Sequence, residues 1–411
     1  SADVILINTC SIREKAAHKV YSLLGQLREA KAKKPWLLIG VAGCVAQQDG
    51  EQMAARMPHV DLIVGTQQIH RLPEMLGRLR RRETSREVAT DLDASFVIPA
   101  FQKLLVDAPP SPTPDSCRRF VTIMQGCNNF CSYCVVPVTR GREISRPVLD
   151  ILEEVEILVR QGAKEITLLG QNVNSYGRTN QVAGTAVDFP ALLRKVAATP
   201  GLRRLRFTTS HPKDLSPELI ECFADLDILC PHFHLPVQSG SNAVLRRMNR
   251  KYTVEDYLAK VAELRRVRPD IALATDVIVG FPGETDEDFQ GTVDLLAAVR
   301  FHSSFSFKYS DRPHTRSTDF ADKVDEQVKQ DRLSAFQALQ NEICLEHNRE
   351  WLGRQVEMLV EEVTGADAKG RTGANQIVHF PAGPQPPAPG DLAQARIQHA
   401  GMHSLQGELV R

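Results

Sequence analysis

The sequence predicts an α/β protein in three parts: a parallel α/β domain over residues 1–82, a partial β/α barrel over residues 117–345, and a small β-barrel over residues 346–411. Three observations carry this. Short apolar runs alternate with helical patterns up to residue 82, which is the βαβ rhythm of a parallel sheet. The rhythm stops over residues 83–116, where "APPSPTPDS" reads as a proline-stiffened linker, and then resumes for roughly six strand–helix units. Beyond an amphipathic stretch near 323–350 the pattern changes to short alternating strands punctuated by Gly and Pro.

In the first domain the elements are "VILINT", a helix from about Ser11, "WLLIGVAG", a helix around 46–56, "VDLIVG" and a helix near 68–82. Cys10 and Cys44 each stand where a strand gives way to a helix. The carboxyl ends of parallel strands are where open α/β sheets gather ligands, so both thiols are expected at one crevice; the alternative is two small buried thiols. The barrel strands are "FVTIMQG", "EITLLGQN", "LRRLRFTTS", "FHLPVQSG", "IALATDVIVG" and "HSSFSFKYS". Every distinctive loop ("GCNNFC", "GQNVNSYG", "TSHP", "PVQSGS", "GFPGET") falls at their carboxyl ends, the active edge of such barrels. Thr285-x-x-Asp288 reads as a capping box. "RQVEMLVEEV", "GRTGANQIVHF", "GDLAQARIQ" and "SLQGELVR" are the strands of the terminal barrel.

Fifty basic residues balance fifty acidic ones, which removes the simplest argument for a nucleic-acid partner. Local clusters remain at Arg78, Arg80, Arg81 and Arg82 and at Arg246, Arg247, Arg250 and Lys251; they read either as phosphate contacts or as solvated helix faces. No apolar run approaches the ~18 residues of a membrane span. Nine cysteines without a signal peptide argue against a secreted disulfide framework and for a reducing cytoplasm in which thiolates bind metal. The chain opens on Ser-Ala-Asp and runs at once into apolar residues, so the expectation is a domain lacking its start.

"CNNFCSYC", residues 127–134, holds three cysteines in one compact loop. A structural zinc takes four ligands, so Cys127, Cys131 and Cys134 would need a fourth from elsewhere. A [4Fe–4S] cube has four irons, and three thiolates leave one open to an exogenous ligand. On the first loop of a β/α barrel this spacing resembles the radical S-adenosylmethionine enzymes, in which S-adenosyl-L-methionine chelates the open iron. The phrases "NTCSIREKA", "GCVAQQ", "GCNNFCSYCVVPVTRGREISRP", "LLGQNVNSYG", "SHP", "HLPVQSGS" and "VIVGFPGETDEDF" together are similar to the methylthiotransferase family, nearest its tRNA-modifying branch. The terminal β segment resembles the RNA-binding TRAM domain.

The resemblance implies two [4Fe–4S] clusters, with Cys127, Cys131 and Cys134 as ligands and catalytic centre of the first. Cys10 and Cys44 match two of three ligands of the second, whose third is expected upstream. One S-adenosylmethionine would methylate a sulfur atom; another would yield a 5′-deoxyadenosyl radical that takes hydrogen from carbon 2 of N6-isopentenyladenosine in tRNA, where the methylthio group is then placed. A reductant such as flavodoxin or ferredoxin, and action as a monomer, are expected. Gly170, Gln171 and Asn172, Gln238 and Ser239, and Gly280 and Gly283 are the candidate cofactor-binding residues. The family usually has Gly-Gly-Glu where Gly170, Gln171 and Asn172 stand. Arg140, Arg142 and Arg146 are candidate phosphate contacts, and Cys117, Cys222, Cys230 and Cys344 read as ordinary thiols. Alternatives are action on a ribosomal-protein aspartate, action on threonylcarbamoyladenosine in tRNA, or a non-catalytic iron–sulfur protein that binds RNA.

Overall fold

The structure, a computed structural model, describes residues 2–11, 14–93, 96, 98–99, 117–179 and 187–410. The predicted Pro-rich segment "APPSPTPDS" lies outside the described residues. Contacts divide the chain into two compact units, one of Ser1–Leu104, Gln125–Ile144 and Ser310–Thr318, the other of Leu105–Met124, Ser145–Tyr309 and Asp319–Arg411.

In the first unit β1 (Val4–Thr9), β2 (Leu38–Gly43), β3 (Leu62–Val64) and β4 (Glu87–Ala89) form a parallel sheet in that order. Helices α1 (Glu14–Lys33), α2 (Cys44–Arg56) and α3 (Leu72–Arg80) connect them. β2 and β3 are nearly continuous apolar runs because both their faces are covered: Leu24, Ile39, Val41, Val45, Met53 and Ile63 form a dry core on one side, Leu62, Val64, Met75 and Leu79 on the other. β4 corrects the sequence boundary, which ended this domain at residue 82. Three residues are too short to show a period, yet Glu87 pairs with Leu62 in the ladder and takes the Arg78 guanidinium at 2.8 Å. That ion pair, with Arg81 to Glu83, also answers the question of the first basic cluster: two of its arginines are neutralised within the domain.

The second unit contains six parallel strands in two sheets, β5 (Arg118–Thr122), β8 (Glu165–Leu169) and β9 (Arg204–Phe207), then β10 (His232–His234), β11 (Ala272–Val279) and β12 (Ser303–Lys308), with a bridge from Leu205 to Leu229 on the way. Two-residue strands β6 (Met124–Gln125) and β7 (Ile144–Ser145) lie between β5 and β8 in the chain. Helices cover the outer face, where Phe207 packs against Phe189, Phe223 and Phe233 at 5.0–5.9 Å between ring centroids. The expected capping box is present: Thr285 and Asp288 exchange side-chain-to-backbone bonds at the start of helix Asp286–Val299.

Helix Glu326–Arg349 packs on β11 and β12 and runs through the sequence-based boundary at 345/346 without a break. β13 (Gln355–Thr364), β14 (Asp367–Thr372), β15 (Ile377–Pro381), β17 (Leu405–Leu409) and β16 (Leu392–Ala400) then close into a barrel in that order around Met358, Val360, Val378, Phe380, Ala395, Ile397 and Leu405. It docks on the amino ends of β5, β8 and β9, opposite the edge that carries the distinctive loops. Arg118 reaches Glu361 at 2.5 Å, Arg204 donates to the Arg371 carbonyl at 2.6 Å, and Arg206 donates to the Thr372 and Gly373 carbonyls at 2.8 and 2.9 Å.

Candidate active site

The three-cysteine loop belongs to the first unit, and its shape follows from a few backbone constraints. Gly126 sits at φ 79°, and a Cβ there would overlap the Arg142 carbonyl, so only glycine starts this turn without strain. Cys127 N–H donates to Gly141 O at 3.3 Å, Cys134 N–H to Cys131 O at 3.0 Å, and Ser317 N–H to Ser132 O at 2.9 Å. Phe130 is held at φ 48° with the Arg142 guanidinium 5.5 Å from its ring centroid. Cys127, Cys131 and Cys134 are each half-buried and in no disulfide. Among the described residues no group of three or more His, Cys, Asp or Glu is placed to hold a single metal ion. A four-iron cube holds its thiolates further apart than a single ion does, and three partly open thiols on one pinned loop fit it. A Gly126→Ala change is therefore expected to lower the iron and sulfide bound per chain after anaerobic reconstitution to a small fraction of the native value.

Cys10 and Cys44 stand at the same level of neighbouring strands, because Thr9 pairs with Gly43 as the last rung of the β1–β2 ladder. Cys10 is exposed; Cys44 is the first residue of α2 and mostly covered. The junction is fixed by Thr9, whose hydroxyl donates to Ala42 O at 2.7 Å and accepts from Val45 N–H at 3.0 Å, and by Gly43 at φ 96°, where a Cβ would come 2.5 Å from Thr9 O. The other four cysteines behave as read from the sequence. All are buried, and burial pushes each thiol up, Cys222 to about 11, which disfavours the thiolate form.

At the barrel edge several candidate residues turn out to build the loops. Asn172 is buried and donates to Asp214 at 2.8 Å, with its carbonyl oxygen left unpaired. Ser239 is fully buried, its hydroxyl accepting from Ser241 N–H at 3.2 Å, so its side chain is not displayed for a ligand as the sequence suggests. Gly280, at φ 68°, makes room for the Lys329 stem, and Gly283, at φ 79°, for Asp322 and Arg247; their close neighbours are parts of this chain. Gly170 is needed because Met124 packs against its α-carbon. Gln171, half-buried at the end of β8, retains the character of a loop residue. Gln238 is the unusual one: a non-glycine residue at φ 75°, held there by bonds from its N–H to Asp276 O and from Ile278 N–H to its own carbonyl. Arg146 is also reassigned, since it is buried against Glu154 at 2.6 Å and donates to Thr122 O. In the second basic cluster Arg247 pairs with Asp322 at 2.6 Å and Arg250 is buried against Tyr252 and Pro236 O. His211 of "SHP" is a neutral acceptor: burial, with Arg250 and Lys213 nearby, pushes it far below the ordinary histidine value, and its Nδ1 takes Lys213 N–H at 3.2 Å.

The comparisons with known proteins fit this arrangement. Residues 121–296 match the radical SAM superfamily and residues 1–65 the uncharacterized protein family UPF0004. Over its whole length the chain is 56% identical to the tRNA-2-methylthio-N(6)-dimethylallyladenosine synthase of Desulfotalea psychrophila (strain LSv54 / DSM 12343), covering 91% of that protein. It is 47% identical to the enzyme of the same name from Geotalea uraniireducens (strain Rf4), again over all of this chain and 91% of the relative. The chain belongs to the tRNA-2-methylthio-N(6)-dimethylallyladenosine synthase family. Among solved structures, the radical S-adenosylmethionine methyltransferase TsrM from Kitasatospora setae superposes with a TM-score of 0.55 at 16% identity, over 77% of this chain and 66% of that one, which shows a shared fold.

For this synthase family the fold therefore supplies a radical SAM barrel, a [4Fe–4S] cluster and S-adenosylmethionine. The sequence reading missed what lines the inner face of the barrel. By ladder parity that face carries Arg118, Glu165, Arg206, His232, His234, Asp276 and Phe305. Part of the signal was available: "HFH" and "SFSF" within "SSFSFK" alternate polar and apolar residues, and "ATDVIV" sets one carboxylate in an otherwise mostly apolar run, whereas strands packed on both faces read as continuous apolar runs.

Proposed function

We infer that this chain is a tRNA-2-methylthio-N(6)-dimethylallyladenosine synthase, adding a methylthio group to carbon 2 of N6-isopentenyladenosine in tRNA by radical chemistry. The pinned loop of Cys127, Cys131 and Cys134, in a chain 56% identical along its entire length to a protein of that name, carries this reading. When bound, the cluster and S-adenosylmethionine supply a 5′-deoxyadenosyl radical, which is what an unactivated aromatic C–H bond demands. The chain's own part is position. Three thiolates from one loop fix the cluster's orientation, while Gly126 and the Gly141, Cys131 and Ser132 carbonyls hold the loop itself against displacement. On this reading half-buried Gln171 and the Gln238 turn, fixed between Asp276 O and Ile278 N–H, shape the barrel edge that would meet the cofactor.

Cys10 and Cys44, level on adjacent strand ends, would hold a second cluster at which sulfur is supplied. A small electron-transfer protein such as flavodoxin or ferredoxin would reduce the barrel cluster, and the terminal β-barrel, TRAM-like in sequence, would grip RNA. No described helix is long and apolar enough to cross a membrane. On this reading the chain acts as a cytoplasmic monomer.

Anaerobically reconstituted protein, incubated with reductant, S-adenosylmethionine and hypomodified tRNA, is expected to release 5′-deoxyadenosine and to yield a nucleoside heavier by one methylthio group in place of one hydrogen. Product mass only on a ribosomal protein, or only on threonylcarbamoyladenosine, would replace this reading with one of the two sister activities; absence of 5′-deoxyadenosine would leave an RNA-binding iron–sulfur protein.

A further inference from the structure

A β/α barrel of this kind is normally filled by layers of Val, Ile and Leu. Here β10, β11 and β12 present something else. Phe233 points outward into the aromatic cluster with Phe207 and Phe223, so by strand alternation His232 and His234 point inward. His234 pairs with Ala274 and Asp276 with Phe305 in the parallel ladders, which sets His234, Asp276 and Phe305 on one inner row. Beside these residues on the same inner face the ladder sets two small ones, Ala274 against Ser303. Phe305 is 57% exposed in the middle of a strand, and β12 is the last strand of its sheet.

The polar partner of this ring is oriented rather than loose. His234 Nε2 lies 2.8 Å from Asp276 Oδ1, and its ring meets Phe305 edge-on with centroids 6.3 Å apart. A carboxylate only accepts, so His234 Nε2 donates to it; His234 Nδ1 is buried and has no partner among the described residues. Asp276 keeps 27% of its side chain exposed, and its second oxygen takes no hydrogen bond from the described residues. An aromatic face and an oriented, open acceptor therefore stand side by side on the inner wall.

We propose that this row receives the target base: Phe305 stacks on the adenine, and Asp276, aimed by His234, accepts the N6–H of N6-isopentenyladenosine. The inference rests on the tRNA reading above and gives it a specificity element. Extruded bases are held by aromatic stacking and read at their polar edge, and a carboxylate beside a ring recognises a planar donor. A singly alkylated N6 retains one hydrogen and satisfies Asp276; an N6,N6-dialkyl adenine has none and leaves the carboxylate desolvated.

The test uses the reconstituted full chain and an anticodon stem-loop carrying N6-isopentenyladenosine, with equilibrium binding as readout and thermal unfolding as the check on folding. Phe305→Ala is expected to weaken binding about 5- to 150-fold, with Phe305→Trp restoring it. Wild type is expected to prefer the N6-isopentenyl stem-loop over an N6,N6-dimethyl one by roughly tenfold, and Asp276→Ala to bind the two equally. Native affinity in Phe305→Ala, or retained discrimination in Asp276→Ala, overturns the proposal while the tRNA reading stands. Weakened S-adenosylmethionine binding with native RNA binding overturns it in favour of the cofactor's own adenine. If wild type shows no preference for isopentenylated over unmodified stem-loop, the functional reading falls and this assignment with it.

Discussion

Replacing Cys127, Cys131 or Cys134 with alanine is expected to bring 5′-deoxyadenosine formation down to the protein-free background, whichever of the three is changed. Each thiolate would hold a different iron of a bound cluster, so no two could do the work of three. Cys117, Cys222, Cys230 and Cys344 are buried with thiols pushed up, and their partners are Val360 O, Glu218 O and Pro190 O, and His302 O where these are hydrogen-bonded. Cys10→Ala and Cys44→Ala are expected to act differently: 5′-deoxyadenosine still forms, but no methylthio product accumulates, because these thiols belong to the proposed sulfur-supplying centre. Iron counts on the same samples give the independent check, with loss of the barrel cluster in the first set and of the second cluster in the other. Substantial 5′-deoxyadenosine from Cys131→Ala would end the assignment of the loop.

The place of the three-cysteine loop was legible because it is local: residue type and spacing gather three thiols in one loop, and glycine before it marks the turn. The level placement of Cys10 and Cys44 was legible for a similar reason, since strand ends can be read from apolar runs and the β1–β2 register then follows. What surrounds the loop glycines was not legible, because Gly280 and Gly283 look the same in sequence whether a ligand or the chain's own Lys329 and Asp322 comes close. The burial of Ser239 and Asn172 was not legible either, since spacing does not encode it. β4 was missed because three residues carry no period, and the inner row of His234, Asp276 and Phe305 because its members are far apart in the chain and meet only through parallel register. Pairing across crossovers is what a single sequence encodes most weakly.

Changing Glu165 to Gln is expected to destabilise the second unit by about 3–5 kcal/mol, because it breaks a buried ion network from its centre. Glu165 is the first residue of β8 and fully buried; Arg118 Nε donates to it at 2.9 Å. Arg206 Nε lies 2.9 Å from its other oxygen, but that N–H is not aligned as a hydrogen bond, so this contact is Coulombic. Arg118 continues to Glu361, which also takes Arg371 at 2.7 Å, so one carboxylate in the barrel and one in the terminal β-barrel share the same guanidinium. Neutralising Glu165 leaves Arg206 buried with only the Thr372 and Gly373 carbonyls. Burial alone would raise the Glu165 pKa, but Arg206 and Arg118 outweigh it and hold it below the ordinary value near 4.5. A carboxyl depressed in the folded state contributes stability above its unfolded value, and that contribution is lost as pH falls through the folded one. The gap between wild type and Glu165→Gln in denaturant unfolding should therefore be widest near neutrality and close on acidification. Glu361→Gln, whose site is more open, should cost less. A gap that does not change with pH would mean that Glu165 acts by shape rather than charge, and the junction of the two barrels would then rest on Arg118 to Glu361 and on the Arg204 and Arg206 contacts to terminal-barrel carbonyls.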